Sequence, residues 1–290
     1  MKKPASAAAI LLLTTMSALV VVRACADDVI HRERSKFNTI VVTEDDQGIR
    51  TLRFEEGGAR QSVVKLDDPD YIALPYAKAM HAGLAVADHP QRVLIVGLGG
   101  GTIPQFLRRH FPEMTIDVVE LDPAVIRVAK RYFGFREDDK MRAYAEDGRK
   151  FIERSEPVYD VIFLDAYSAD SVPYALTTRE FLMATRKALR PGGVVASNVW
   201  SSRSNQLYGS MIRTYQDVFE QVAIVDVQGV GNRIVIAVPR PQIPTQDNLA
   251  ARARVMGTQA RFPFDLGDLV EYGYQTLDEP DREGEVLTDR

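Results

Sequence analysis

Asp165 closes an aliphatic run, "YDVIFLD", that reads as a strand. A carboxylate at the carboxyl end of a strand stands where open α/β sheets bind their ligands. Glu120 ends a second such run in "IDVVELD", and Asp147-Gly148 follows a third strand in "AEDGRKF". Ahead of all three, "VLIVGLGGGT" leads a strand into the loop Gly97-Leu98-Gly99-Gly100-Gly101 and then into a helix. Glycines there let the backbone turn tightly and approach a ligand closely. An acidic residue at the end of the next strand is placed to grip ribose hydroxyls, and Glu120 fits that role. Asp122, just before Pro123, reads as a helix N-cap. Asp147 either caps the following helix or accepts a hydrogen bond from an adenine amino group. Asp165 lies near the reactive end of a nucleoside bound across the crevice.

The pattern lacks a Walker lysine, and its acidic points have no basic counterpart. Such a pocket suits a cationic nucleoside better than a pyrophosphate. A sulfonium nucleoside, S-adenosylmethionine or its decarboxylated form, is the natural candidate. The single cysteine, Cys25, rules out an intrachain disulfide. His31, His81, His89 and His110 form no metal-spaced pair, so no metal site is expected. A formal charge of -4, with no basic block interleaved with aromatics, argues against a nucleic-acid partner.

The elements that must carry these residues follow from hydrophobic rhythm. From Val93 onward aliphatic runs (93–96, 116–120, 159–164, 193–199, 232–238) alternate with amphipathic stretches (103–111, 123–133, 148–154, 178–189, 204–217). Buried strands alternating with helices imply an α/β fold with a doubly wound, mostly parallel sheet. The strands "FEQVAIVDVQ" and "NRIVIAVPR" suggest an antiparallel edge. Upstream, "FNTIVVTED", "IRTLRFEEG" and "GGARQSVVKL" alternate and are joined by turn residues, which predicts a small antiparallel N-terminal subdomain. A helix starts near Pro75, and Thr177 or Thr178 caps another with Glu180 in its first turn.

The expected organisation is therefore an N-terminal β subdomain with its linking helix over 27–80, a nucleoside-binding domain over 81–240, and a C-terminal helix with an acidic tail over 241–290. That tail, "DEPDREGEVLTDR", reads as a solvated, frayed end. Residues 1–26 read as a signal peptide: Lys2 and Lys3 precede an apolar run, and Ala24-Cys25-Ala26 fits a cleavage site. The expected location is exported or membrane-anchored on the periplasmic side, through an uncleaved segment or a lipidated Cys25. It is cytoplasmic if the segment is no signal.

With these motifs together, the chain resembles the spermidine/spermine synthase family (polyamine aminopropyltransferases), in a divergent bacterial branch. The resemblance spans roughly residues 33–240 and rests on Gln61-Ser62, "VLIVGLGGGT", "VELDP", "DGRKFI", "YDVIFLDAYSADSVPYALTTREF" and "LRPGGVVASN". It implies a methyltransferase-like fold and a homodimer. It also implies transfer of an aminopropyl group from decarboxylated S-adenosylmethionine, a co-substrate rather than a bound cofactor, to putrescine or a similar polyamine. By the same resemblance Gly97, Gly99 and Gly101 line the nucleoside, Glu120 binds ribose, and Asp147 and Gly148 meet adenine. Asp165 accepts the proton of the attacking amine, and Gln61 lies beside the substrate.

Two departures bear on this. The family's loop aspartate is Gly100 here, which removes a carboxylate that would repel intact S-adenosylmethionine. The second acidic residue of the strand-four motif is Ser168, with Asp170 as a substitute. Tyr167 and Tyr174 either hold an ammonium by cation–π contact or pack the loop. A methyltransferase of unknown acceptor and a non-catalytic nucleoside- or polyamine-binding protein stand as alternatives.

Overall fold

The structure is a computed structural model and describes residues 27–168, 171–281 and 284–290. Residues 1–26, which the sequence suggests are a signal peptide and which include Cys25, lie outside the described residues, as does Asp170. Among those described, no helix is long and apolar enough to cross a membrane.

Four strands open the chain: β1 (Asp28–Arg34), β2 (Thr39–Glu44), β3 (Ile49–Arg53) and β4 (Arg60–Lys65). They form an antiparallel sheet in sequence order. Asp45 shapes the β2–β3 turn by accepting the amides of Gln47 and Ile49, both at 2.9 Å. Alternation puts Ile40, Val42 and Leu52 on one face. A short pair of helices, α1 (Pro75–Met80) and α2 (Ala82–Val86), then leads into the main sheet, with Pro75 at the start of α1.

That sheet is built from β5 (Arg92–Val96), α3 (Thr102–His110), β6 (Thr115–Glu120), α4 (Pro123–Tyr132), β7 (Met141–Ala145), α5 (Gly148–Glu153), β8 (Tyr159–Leu164), α6 (Arg179–Ala188), β9 (Leu189–Trp200), α7 (Tyr208–Val218), β10 (Gln221–Asp226) and β11 (Asn232–Val238). Two helices, α8 (Gln246–Ala260) and α9 (Leu266–Gly273), and a short β12 (Tyr274–Thr276) complete it. Strand order is β12-β10-β11-β9-β8-β5-β6-β7. The run from β9 to β7 is parallel, whereas β11 is antiparallel to both neighbours. The antiparallel pair expected here, β10 with β11, thus stands at this end of the sheet, with β12 added antiparallel outside it.

Both faces of the sheet are covered, which is why its strands read as unbroken aliphatic runs. On β5, Val93 and Ile95 face a core with Met80, Leu84, Phe106 and Leu249, while Leu94 and Val96 face Phe181, Leu182 and Ile212. Each fully buried side chain of this kind contributes about 1.5–3 kcal/mol. The N-terminal sheet packs its apolar face on α4, through Ala124, Val125 and Val128.

The acidic tail departs from the expected frayed end. Just ahead of it, Tyr274–Thr276 pairs with β10 as an eighth strand. Leu287 is buried against the α6–α7 face, its carbonyl accepting the Arg179 amide at 2.7 Å and its amide donating to Thr214 Oγ1 at 2.9 Å. A buried apolar residue with satisfied backbone groups helps to anchor this largely polar stretch.

Asp122 is the N-cap foreseen for α4, accepting the Ala124 amide at 2.9 Å. It also ties the two sheets together, since its Oδ2 accepts from the Ser35 hydroxyl and, at 3.4 Å, from Asn38 Nδ2. Asp122→Ala should lower unfolding free energy by about 2 kcal/mol, from the lost cap and the stranded partners. Urea denaturation checks this through a lower midpoint at unchanged slope.

Candidate functional site

The parallel sheet reverses its winding at β5, with β6 on one side and β8 on the other, and such a switch point opens a crevice at the strands' carboxyl ends. A cleft of about 440 Å³ lies there, walled by the glycine loop, the ends of β6 and β8, and residues of β4 and α1.

Gly97 and Gly99 line the cleft; Gly101 does not. Gly97 has φ +102°, and a Cβ there would lie 2.3 Å from the Asp165 carbonyl oxygen. Only glycine permits both the turn and that approach. Gly101 instead starts α3 at φ +81° and faces Phe135, so its part is to shape the loop. Gly100 donates its amide to Ser62 Oγ at 2.8 Å, and a Cβ there would meet Phe133 and Ser62 at 2.7 and 2.9 Å. The space a loop carboxylate would need is therefore filled by those two residues.

Glu120 ends β6 at the cleft wall with 9% of its surface exposed. Its two oxygens accept the amides of Leu98 (3.0 Å) and Asp122 (2.9 Å). Burial raises its pKa, and these amides oppose the rise. Each oxygen keeps a lone pair for a ligand hydroxyl. Asp147 both caps α5, accepting the Lys150 amide at 3.1 Å, and borders the cleft with Gly148. The two roles weighed for Asp147 are geometrically compatible. Gly148 is required by packing, since a Cβ there would lie 2.5 Å from Val96 Cγ1.

Asp165 follows β8, its amide donating to the Val96 carbonyl at 2.8 Å. Its Oδ1 accepts from Asn198 Nδ2 (2.9 Å) and its Oδ2 from the Tyr76 hydroxyl (3.3 Å). Asn198 is oriented in turn, because its Oδ1 accepts from Asn232 Nδ2 at 2.9 Å. Burial dominates over these donors and lifts the Asp165 pKa to about 7. The cleft thus holds a carboxyl that changes charge at neutral pH, fixed by donors from α1 and β9.

Beyond it, Tyr167 and Trp200 border the cleft with ring centroids 5.7 Å apart, and the Tyr167 hydroxyl donates to the Asn198 carbonyl at 3.0 Å. Gln61 stands on the β4 wall. Tyr174 has no place in the cleft wall: its hydroxyl donates to the Thr288 carbonyl at 3.0 Å and its ring face is covered by the Arg290 guanidinium at 4.5 Å. For that ring, packing prevails over ammonium binding. Thr178 is the α6 cap, accepting the Phe181 amide at 3.4 Å.

The cleft is also less uniformly acidic than the sequence pattern suggests, since Arg60 and Arg149 border it. Among the described residues, no group of three or more His, Cys, Asp or Glu is placed to hold a metal ion. The residues that sequence reasoning left unassigned are Tyr76, Asn198, Asn232 and Trp200. Register places Asn198: Leu164 and Ser197 are partners on adjacent parallel strands, so the residues that follow them, Asp165 and Asn198, end side by side.

The Spermine/spermidine synthase domain model matches residues 76–228. The polyamine aminopropyltransferase of Vibrio vulnificus is 34% identical over 271 residues, covering 90% of this chain and 89% of that protein. Among solved structures, a probable spermidine synthase from Corynebacterium glutamicum superposes with a TM-score of 0.70 at 19% identity, over 90% of this chain and 96% of that one. Human methyltransferase-like protein 13 in complex with SAH superposes with a TM-score of 0.61 at 31% identity, over 66% and 95%. The fold is the methyltransferase-like α/β architecture, and the chain belongs to the spermine/spermidine synthase family as an enzyme of the polyamine aminopropyltransferase class.

A carboxyl raised from 3.8 to about 7 costs stability as pH rises through that interval, because the unfolded chain ionises freely while the folded one resists. Asp165→Asn should therefore raise the thermal midpoint, and by more at pH 8 than at pH 5. Scanning calorimetry at the two pH values checks the sign.

Proposed function

We propose that the cleft takes decarboxylated S-adenosylmethionine and transfers its aminopropyl group to putrescine or a similar amine, with Asp165 as general base. The observation that carries this reading is the partly buried Asp165 carboxyl, its pKa raised by desolvation to about 7, beside the glycine loop and Glu120. In the step, the amine nitrogen forms a bond to the carbon next to the sulfonium. The carbon–sulfur bond breaks, and its electron pair leaves with sulfur as a neutral thioether. The amine proton passes to the Asp165 carboxylate.

The amine must be neutral to attack, and both desolvation and the nearby sulfonium favour its neutral form. The ionised carboxylate then serves twice, as proton acceptor and as counter-charge to two cations held close together. Glu120 would hold the ribose, Asp147 with Gly148 the adenine, and Gly97 with Gly99 the close backbone wall. Gln61 and Tyr167 would border the acceptor, with Asp170 as a candidate second carboxylate. Positioning supplies much of the remaining acceleration.

A second reading, methyl transfer from intact S-adenosylmethionine, is favoured by one feature. Gly100 offers no carboxylate to repel the cofactor's own, and Phe133 with Ser62 fills the space. Calorimetric titration with each cofactor form, followed by incubation with putrescine and mass spectrometry, separates the two. Preference for the decarboxylated form with spermidine appearing supports the proposal; preference for intact S-adenosylmethionine without spermidine overturns it.

Asp165→Asn should cut kcat by about 10²–10⁴-fold while nucleoside affinity survives. In the parent enzyme kcat/KM should fall as pH drops below about 7, where Asp165 is protonated and cannot act as a base. An acid limb near the ordinary carboxylate range would contradict the assignment.

A further inference from the structure

Outside the chemistry just described, one segment converges on the cleft from the far end of the sequence. Leu287 is buried among α6 and α7. The next three residues then hold two parts of the layer beside the cleft, the Tyr174 loop and Arg149. The Thr288 carbonyl accepts from the Tyr174 hydroxyl at 3.0 Å. Asp289 meets Arg149 in a bidentate pair, Oδ1 to Nη1 at 2.7 Å and Oδ2 to Nη2 at 2.5 Å, and its amide donates to Glu180 Oε2 at 2.9 Å. The Arg290 guanidinium lies over the Tyr174 ring.

Of the two residues gripped, Arg149 is in the cleft wall and Tyr174 is flanked by residues that are. Arg149 borders it directly, immediately after Asp147 and Gly148, and so do Pro173, Ala175 and Leu176 on either side of Tyr174. Arg149 connects the two, since Nη1 also reaches the Ala175 carbonyl at 3.4 Å and its Nε pairs with Glu153 at 2.7 Å. A guanidinium presents a rigid fork, so a two-point carboxylate contact fixes its plane as well as its place. With Asp289 removed, Arg149 keeps Glu153 but loses the partner that turns its second edge toward the loop.

We propose that Leu287–Arg290 is a strap that holds the loop 171–178 and the start of α5 together over the nucleoside end of the cleft, with Asp289 a positioning residue that acts through Arg149. The proposal rests on the reading that the cleft takes a nucleoside, and is indifferent to which group is transferred. Loop closure of this kind orders the site before binding, so the strap spares the nucleoside the cost of ordering the loop. The Arg149–Asp289 pair is partly exposed, with side-chain exposures of 20% and 41%, and so is open to screening by salt.

The test uses the full chain and Asp289→Asn, with Asp289→Glu as the conservative control. Two readouts are taken: affinity for 5′-methylthioadenosine by calorimetry, and amide hydrogen exchange across 171–178. For Asp289→Asn the nucleoside should bind about two- to fivefold more weakly, the scale of one exposed ion pair. Exchange should quicken in 171–178 but not in the strands. The thermal midpoint should fall by no more than about 4 °C. Asp289→Glu should recover most of the affinity, and raised salt should bring the parent chain toward the variant. Unchanged affinity and loop exchange would overturn the proposal, as would faster exchange spread over the whole sheet, which marks a merely structural contact. If the parent chain fails to bind the nucleoside, the cleft reading falls, while exchange in 171–178 still decides the strap.

Discussion

The site depends on one constraint: a carboxyl group must stay ionisable in a partly desolvated cleft wall. Asp165 leaves β8 beside β5, and its peptide is fixed by the Val96 carbonyl before its side chain reaches the cleft. Desolvation pushes its pKa up. The donors Asn198 and Tyr76 pull the other way, and the balance falls at about 7. Removing either donor changes the balance, which is why the second layer, Asn232 behind Asn198, belongs to the chemistry as much as the first.

The architecture can be read as what is needed to bring those groups together. Asp165 comes from β8, Asn198 from β9 and Tyr76 from a helix that precedes the sheet. The parallel register delivers the first two to the same edge of the sheet. The third arrives because Pro75 starts α1 at the mouth of the crevice. Across the cleft, Glu120 serves the loop before it can serve any ligand, since both its oxygens hold backbone amides of the glycine loop and the β6 end. Loop and nucleoside wall are therefore one hydrogen-bonded unit.

Features set by local chemistry were readable from the sequence. Strand-terminal acids, the glycine loop after β5, the cap at Asp122 and the alternation of β1–β4 are all encoded within a few residues. Features set by long-range register were not. Asn198 and Tyr76 are 33 and 89 residues from Asp165, and only the assembled sheet brings them together. Gly101 and Tyr174 show the converse: the residue types suit ligand contact, but packing against Phe135 and Arg290 gives them other work. The tail misled because its composition is mostly polar, whereas its docking draws on Leu287 and on satisfied backbone groups.

Carbon-13 labelling of aspartate, with the Asp165 carboxyl signal assigned by its loss in Asp165→Asn, tests the central claim most directly. The account predicts that this signal titrates near pH 7 in the ligand-free chain, apart from the bulk of the carboxylates. Titration below pH 5 would mean that Asn198 and Tyr76 outweigh desolvation, and the neutral-pH base would have to be sought elsewhere in the cleft.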